Sequence, residues 1–260
     1  MDELVFPGLA LAAGLWFYWY YSFLRILSFR CNKTLSLFVG LTPPVCMIVL
    51  LLVLSLWSSP DVRSDGETIF FYMIFGALWL RLGFALLSLA GISVREDVLE
   101  RQNRAAAWTV CGAMTGATFC FAGANIGRGP GPEAVLFSAV LSSAAFFGLC
   151  FAIERILALG DRLTVERDEG TGIRMGGWCA GMGLILGSAV AGEWKSAEAT
   201  LRDFVRFGWG TIPFTLVGIL TERYFDPQKG TRTSTFRISL EVAGVYLLAA
   251  GAYALWLNTH

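Results

Sequence analysis

The chain has 260 residues, of which 55% are hydrophobic and only 15% are charged, and its formal net charge is zero. A soluble domain of this size carries more surface charge, so the composition indicates an integral membrane protein. A net charge of zero gives no bulk basic surface, and we therefore expect no nucleic-acid partner.

Eight apolar runs are each long enough to cross a bilayer. A helix rises about 1.5 Å per residue and the hydrocarbon core is about 30 Å thick, so a span needs about twenty residues. The runs cover residues 4–27, 34–57, 68–91, 105–126, 133–157, 172–192, 204–221 and 238–257. They predict an all-α fold, a polytopic transmembrane helical bundle that forms one integral membrane domain over residues 1–260 in the lipid bilayer.

The positive charges of the connections are divided unevenly between the two sides of this bundle. Fourteen Lys and Arg residues fall on one side and five on the other, while Arg81 lies within a span. Cytoplasmic loops carry the excess of Lys and Arg, so both termini are predicted to be non-cytoplasmic. The connection over residues 195–206 opposes this assignment, since it holds three of the five.

Two segments of the chain are similar. Residues 93–97 read Ser-Val-Arg-Glu-Asp and residues 164–168 read Thr-Val-Glu-Arg-Asp, and an apolar helix with small residues follows each. In this register Arg104 corresponds to Arg174 and Ala113 to Gly183. We predict tandem helical-hairpin repeats over residues 34–92 (diverged), 93–160 and 164–225, related by an axis along the membrane normal.

One of these segments also resembles a known family. Residues 103–107 read Asn-Arg-Ala-Ala-Ala, open a helix after an acidic loop, and resemble the start of the two-helix repeat in the YjfL-like inner-membrane proteins. That family is bacterial, uncharacterised in function and often has tandem copies. The resemblance covers about residues 93–224 and implies a location in the bacterial inner membrane, but no reaction and no ligand. The second copy departs from the pattern, because Gly172-Ile173-Arg174 stands where the asparagine is expected.

Glycines spaced four residues apart mark the fourth and sixth predicted spans. Such spacing makes a groove that another helix backbone can approach closely. The pattern favours packing within one subunit. The alternatives are a subunit interface and a pore-lining face. The residues concerned are Gly112, Gly116, Gly176, Gly177, Gly181, Gly183 and Gly187.

Arg81 is the charged residue closest to the middle of a predicted span. A charge at that depth is unfavourable by several kcal/mol unless it is paired or hydrated. Glu154, Glu222 and Glu241 lie on the predicted cytoplasmic half of the bundle, and we expect Arg81 to pair with at least one of them. Such a pair is either a structural contact or part of an ion or solute path.

Catalytic and metal sites have little support in the sequence. The only histidine is His260, the last residue, which excludes Ser–His and Cys–His dyads and histidine-rich metal sites within the membrane. No aspartate lies inside a predicted span. The run Gly127-Arg128-Gly129-Pro130-Gly131-Pro132 has the composition of a tight turn rather than of a phosphate-binding loop. We predict no catalytic residue, no metal and no cofactor.

Two functional hypotheses follow. The first is an oligomeric membrane protein, a channel or transporter for ions or small solutes. The second is a non-conducting membrane subunit or scaffold that anchors a partner protein, and an intramembrane enzyme is a distant third. Besides the bilayer, the expected partners are further copies of this chain or another component of a membrane complex.

Overall fold

The computed structural model describes residues 2–30, 33–89, 91–226 and 235–259, and for residues 2–5, 22–30, 33, 34, 89 and 258 it describes the backbone alone. Throughout these ranges the regular structure is helical, and the predicted all-α class is confirmed. The α-helices are α1 (Asp2–Arg30), α2 (Lys33–Leu56), α3 (Pro60–Arg63), α4 (Gly66–Leu89), α5 (Arg104–Ala124), α6 (Pro132–Leu157), α7 (Leu159–Thr164), α8 (Glu169–Val190), α9 (Ala197–Phe207), α10 (Thr211–Tyr224) and α11 (Phe236–Thr259).

Seven helices in the part of the chain with described side chains are long and apolar enough to cross a membrane. The protein is therefore a multi-pass membrane protein. These spans are Leu35–Leu56, Gly66–Ser88, Arg104–Ala124, Pro132–Leu157, Glu169–Val190, Ala197–Tyr224 and Phe236–Leu257. The first predicted span, residues 4–27, lies within α1, a helix of 29 residues for which the side chains near both ends are not described.

The seventh predicted span begins earlier than expected. The sequence predicts a connection over residues 195–206 and a helix from residue 204, but α9 already begins at Ala197. The hydroxyl oxygen of Ser196 accepts a hydrogen bond from the Ala199 amide and so caps the first turn. A 3-10 turn, Gly208–Gly210, then links α9 to α10. Because α9 is amphipathic and contains no buried residue, its charged positions resemble those of a loop.

Helices α2, α5, α8 and α11 lie side by side and parallel. Phe38 of α2 packs on Trp108 of α5 with ring centroids 4.7 Å apart, and the exit of α2 pairs with the exit of α5 through a parallel bridge between Ser58 and Gly127. The most extensive helix contact is α5 with α8, followed by α8 with α11. The spans of α5 and α8 are 78% and 83% buried, against 22% to 39% for the others, so these two helices form the core.

The remaining long helices cover this row. α4 packs against α2 and α5, α6 packs against α5 and α8, α10 packs against α6 and α8, and α1 packs against α4. The indole of Trp16 in α1 donates a hydrogen bond to the Ala77 carbonyl of α4 at 2.9 Å. Large apolar side chains remain exposed on α2, α6, α10 and α11, as expected for surfaces that face lipid.

The helix caps give a different repeat register from the one predicted by the sequence. Asn103 caps α5 and Asp168 caps α8, and each follows a residue with positive φ, Gln102 at 54° and Arg167 at 55°. The Asn103 amide donates to the Asp97 carbonyl, and the Asp168 amide donates to the Arg162 carbonyl, both at 3.0 Å.

These matching bonds relate residues 65 apart, so Asn103 corresponds to Asp168. The predicted pairing of Arg104 with Arg174 is wrong by about one and a half turns. Small residues recur throughout both helices and fit several registers, whereas only a cap fixes where a helix begins. Asp168 thus takes the place of the asparagine that the second copy lacks. The outer boundaries of the three repeat units stay a prediction.

Candidate functional site

The glycines of α5 and α8 bring these two helices into backbone contact. A Cβ atom added to Gly112 would overlap the backbone of Gly176, and one added to Gly183 would overlap the backbone of Gly116. Gly187 lies in the same way against the backbone of Phe119. Only residues without a side chain fit at such contacts, which explains the spacing of four.

The opposite face of α8 packs just as closely on other helices. A Cβ atom at Gly177 would lie 2.6 Å from the Cβ of Ala243 in α11, and one at Gly181 would lie 2.7 Å from the ring of Phe214 in α10. The seven predicted glycines therefore lie between helices of a single chain. No open face remains at these positions, so a pore lining or a subunit interface does not account for them.

The predicted partners of Arg81 each bind a different arginine. The structure pairs Glu154 with Arg155 at 3.6 Å, Glu222 with Arg174 at 2.6 Å and Glu241 with Arg237 at 2.9 Å. The Nε atom of Arg81 is buried and has no hydrogen-bond partner among the described residues. Among the described residues, Arg81 forms an ion pair with none of the three glutamates, so the predicted pairing is wrong.

Helix geometry explains why Arg81 does not reach them. Gly83, about half a turn along α4 from Arg81, lies against Phe147 of α6, and Glu154 is about two turns further along α6. Glu222 and Glu241 belong to α10 and α11, which pack on the far side of α8. Depth in the membrane alone, on which the prediction was based, does not specify the neighbouring helix.

The buried charge cluster of the protein is centred on Arg174 instead. The guanidinium donates to both carboxylate oxygens of Glu222, from Nε at 2.6 Å and from Nη2 at 2.8 Å, and the two side chains are 0% and 1% exposed. Nη1 donates to the Ser239 hydroxyl at 3.1 Å, and the guanidinium lies 4.7 Å from the centre of the Phe225 ring. This bidentate pair links α8, α10 and α11.

A second buried ion pair adjoins the first. Arg162 of α7 contacts the carboxylate of Asp226 at 2.7 Å and donates to the Glu222 backbone carbonyl at 3.3 Å. The Thr171 hydroxyl contacts both Asp168, at 2.7 Å, and Glu222, at 3.2 Å. The carboxylates are thus bound by internal donors, and this arrangement joins helices rather than presenting a free reactive group.

The sequence prediction identified Glu222 but not its partner. It starts the sixth span at residue 172, which makes Arg174 a charge near the membrane surface and one of the fourteen on the cytoplasmic side. The helix begins at Glu169, so Arg174 lies in its second turn and faces the bundle interior. An arginine followed directly by an uninterrupted apolar run is the signal that could have indicated a buried position.

The opposite end of the bundle contains a polar pocket of about 520 Å³. It forms where the chain leaves α2, α5 and α8 and enters α4, α6 and α9. The exits are held together by backbone contacts, since the Gly192 amide donates to the Ile126 carbonyl at 3.0 Å and the Trp194 amide donates to the Arg128 carbonyl at 2.7 Å. Gly127 and Gly192 have φ of 108° and 141°, a conformation that favours glycine.

Four buried polar residues line this pocket, and all of them except Ser58 have a side-chain polar atom without a protein partner among the described residues. Tyr72, Asn125 and Ser138 are only 6%, 5% and 5% exposed. The Asn125 amide nitrogen donates to the Phe121 carbonyl at 2.7 Å, but its side-chain oxygen accepts no hydrogen bond from the described residues. The hydroxyls of Tyr72 and Ser138 likewise find no protein partner within the described ranges. These polar atoms face the pocket and lack a protein partner, so the pocket suits water or a polar solute.

Charged and aromatic side chains line the rest of the pocket. Asp61, Glu193, Asp203 and Arg128 are among them, and none of the four takes part in an ion pair in the described part of the chain. Trp194 contributes an aromatic surface. The sequence prediction treated residues 127–132 only as a turn; the structure shows that this turn also forms part of the pocket wall.

Comparisons with protein-family models, with curated proteins and with solved structures found no match.

Proposed function

We propose that this protein is a transporter or channel for small solutes, and that the pocket between the exits of α2, α5 and α8 is where the solute binds. The single observation that carries the proposal is the set of unpaired polar atoms on Tyr72, Asn125 and Ser138. These atoms are open to the pocket although their residues are largely buried, so a bound polar solute can take the place of water as their hydrogen-bond partner.

The surrounding helices support this role. The backbone contacts between α5 and α8 make a rigid wall beneath the pocket, and a site built on rigid helices holds its polar groups in fixed positions. By the charge asymmetry of the loops, the pocket opens on the non-cytoplasmic side of the membrane. By the resemblance to YjfL-like proteins, that membrane is a bacterial inner membrane. This pocket replaces the pore-lining glycine face that the sequence left open as one explanation of the glycine spacing.

The test is solute uptake by purified protein in liposomes. A mixture of small metabolites is supplied outside and the accumulated species are measured by mass spectrometry. Tyr72→Phe removes one hydroxyl from the pocket and nothing else, and it should lower uptake about threefold to tenfold, the effect of one hydrogen bond. Uptake no greater than that of empty liposomes, for every solute in the mixture, would contradict the proposal.

The matched control is Tyr246→Phe. The Tyr246 hydroxyl has no hydrogen-bond partner among the described residues either, but it is buried, and Tyr246 packs against Phe214 and does not line the pocket. Its loss should leave uptake unchanged. Equal losses in the two variants would mean that hydroxyl removal acts through stability and not through the pocket.

A second proposal, the scaffold role, is favoured by α9. This amphipathic helix has no buried residue, and it exposes Leu201 and Val205 by 48% and 69% beside Glu198, Arg202 and Arg206. Such a helix lies in the membrane interface or binds a partner helix. A partner that co-purifies with the wild type, and is lost with Leu201→Glu, would favour this role. Oligomer formation stays a prediction.

A further inference from the structure

We infer that the pocket binds a small organic cation, an amine whose N–H groups are held by the pocket-lining oxygens of Tyr72, Asn125 and Ser138 while its charge is held by the surrounding carboxylates. This inference rests on the proposed solute-binding function and names the class of solute.

The first observation is the balance of charge in the pocket wall. The pocket wall contains three carboxylates, those of Asp61, Glu193 and Asp203, and one guanidinium, that of Arg128, and none of these charges is neutralised by an ion pair with a described residue. A concave surface with an excess of one sign concentrates counter-ions of the other sign. The excess here is negative and attracts cations.

The second observation concerns the helix ends that meet at the pocket. The C-terminal residues Ala124 of α5 and Val190 of α8 line it, and the last turn of neither helix contains a basic residue. The C-terminus of a helix carries a partial negative charge, and these two ends therefore add to the attraction for a cation.

Helix N-termini at the same pocket do not offset this effect. Asp65 accepts hydrogen bonds from the Glu67 and Thr68 amides at the start of α4, and Ser196 accepts one from the Ala199 amide at the start of α9. The first residue of α6 is Pro132, which has no amide hydrogen. Fewer free amides are therefore available to bind an anion at the starts of α4, α6 and α9.

The third observation is the chemistry of the pocket-lining atoms. The Asn125 side-chain oxygen is an acceptor only, and the hydroxyls of Tyr72 and Ser138 can accept as well as donate. An ammonium or amine supplies several N–H donors to such a set. Trp194 adds an aromatic face, which attracts a cation through its ring quadrupole. Donors, charge and ring all match the same class of solute.

The experiment is isothermal titration calorimetry on the full-length protein in nanodiscs. The probes are putrescine and ethanolamine as cations that carry N–H groups, succinate as a dianion of similar length, and glycerol as a neutral solute. We expect saturable binding of at least one cation and no binding of succinate. Asp203→Asn and Asp61→Asn should each weaken cation binding by about fivefold or more, because each removes one carboxylate that faces the ligand.

The matched control is Glu198→Gln. Glu198 lies on α9 like Asp203, but it does not line the pocket. Cation binding should be unchanged in this variant. Melting temperatures in the same nanodiscs identify any variant that fails to fold. If Asp203→Asn on α9 fails to fold, Asp61→Asn still tests the inference, because Asp61 lies on a separate helix, α3.

Two results would overturn the inference. One is the absence of saturable binding of both cations, and the other is cation binding that neither Asp203→Asn nor Asp61→Asn changes. If succinate or glycerol binds while the cations do not, the cation inference fails and the proposed solute-binding function stands. If no probe binds and liposome uptake is also absent, both fail together.

Discussion

Two ion pairs in this protein have the same chemistry and opposite surroundings. Arg174 and Glu222 are 0% and 1% exposed, whereas the side chains of Arg237 and Glu241 are 89% and 61% exposed. A buried charge that loses its partner keeps its full desolvation penalty, while an exposed one is solvated by water. The two pairs therefore predict very different responses to the same substitution.

Glu222→Gln should lower the free energy of unfolding by about 3–5 kcal/mol, because Arg174 remains buried without its counter-charge. Glu241→Gln is the matched control and should change it by less than about 1 kcal/mol. Unfolding of the protein in mixed detergent micelles, followed by tryptophan fluorescence, measures both. Similar losses in the two variants would be incompatible with the burial of the Arg174 pair.

Arg81 gives a prediction of independence. Since it contacts none of the three predicted glutamates, Arg81→Leu should not unbalance Glu222. The double variant Arg81→Leu with Glu222→Gln should equal the sum of the single effects within about 0.5 kcal/mol, as for residues without shared partners. The same unfolding assay completes this double-mutant cycle. A coupling above about 1 kcal/mol would restore the original pairing.

At the scale of elements, the contact of α5 with α8 depends on the absence of side chains. Gly183 meets the backbone of Gly116, while Gly148 of α6 has no atom near the position of its missing Cβ. Both glycines lie within helices, where alanine is intrinsically preferred to glycine by about 1 kcal/mol. Substitution by alanine at Gly148 therefore measures helix propensity alone, whereas the same substitution at Gly183 also measures the cost of disturbing the helix contact.

Gly183→Ala should destabilise the protein by about 1–3 kcal/mol, because an extra methyl group at a backbone contact forces the helices apart. Gly148→Ala should be neutral or stabilising by up to about 1 kcal/mol. Thermal unfolding in detergent gives both values. A stabilising Gly183→Ala would mean that α5 and α8 are not in backbone contact.

At the scale of the whole molecule, the buried ion pairs and the polar pocket occupy opposite ends of the bundle. The ends are also distinguished by charge, although two of the fourteen arginines and lysines on the predicted cytoplasmic side, Arg162 and Arg174, are buried in ion pairs. The Lys and Arg residues that remain on that side still outnumber the five on the other side. The pocket is accordingly expected to face away from the cytoplasm.

Reporter fusions test this orientation. Fusions after Asp97 and Asp168 should report a cytoplasmic location, and fusions after Asp65 and Gly129 should not, because the excess of Lys and Arg stays on the cytoplasmic side. In each set the two fusion points lie in equivalent connections of the bundle, so the result at one point checks the result at the other. A cytoplasmic signal from Gly129 would reverse the orientation and place the pocket inside the cell.

Local sequence features were sufficient to predict most of the long helices, whereas the groups that meet depend on how those helices pack. Apolar length and glycine spacing are properties of single segments, so they predicted the spans and indicated that the faces with Gly112 and Gly183 favour close packing, which the structure shows to be between α5 and α8. The partner of Glu222 and the polar atoms around the pocket depend on which helices are neighbours and in which register they pack. Hydropathy is similar for every span and cannot specify that arrangement. The sequence therefore could not show that Arg174, rather than Arg81, pairs with Glu222.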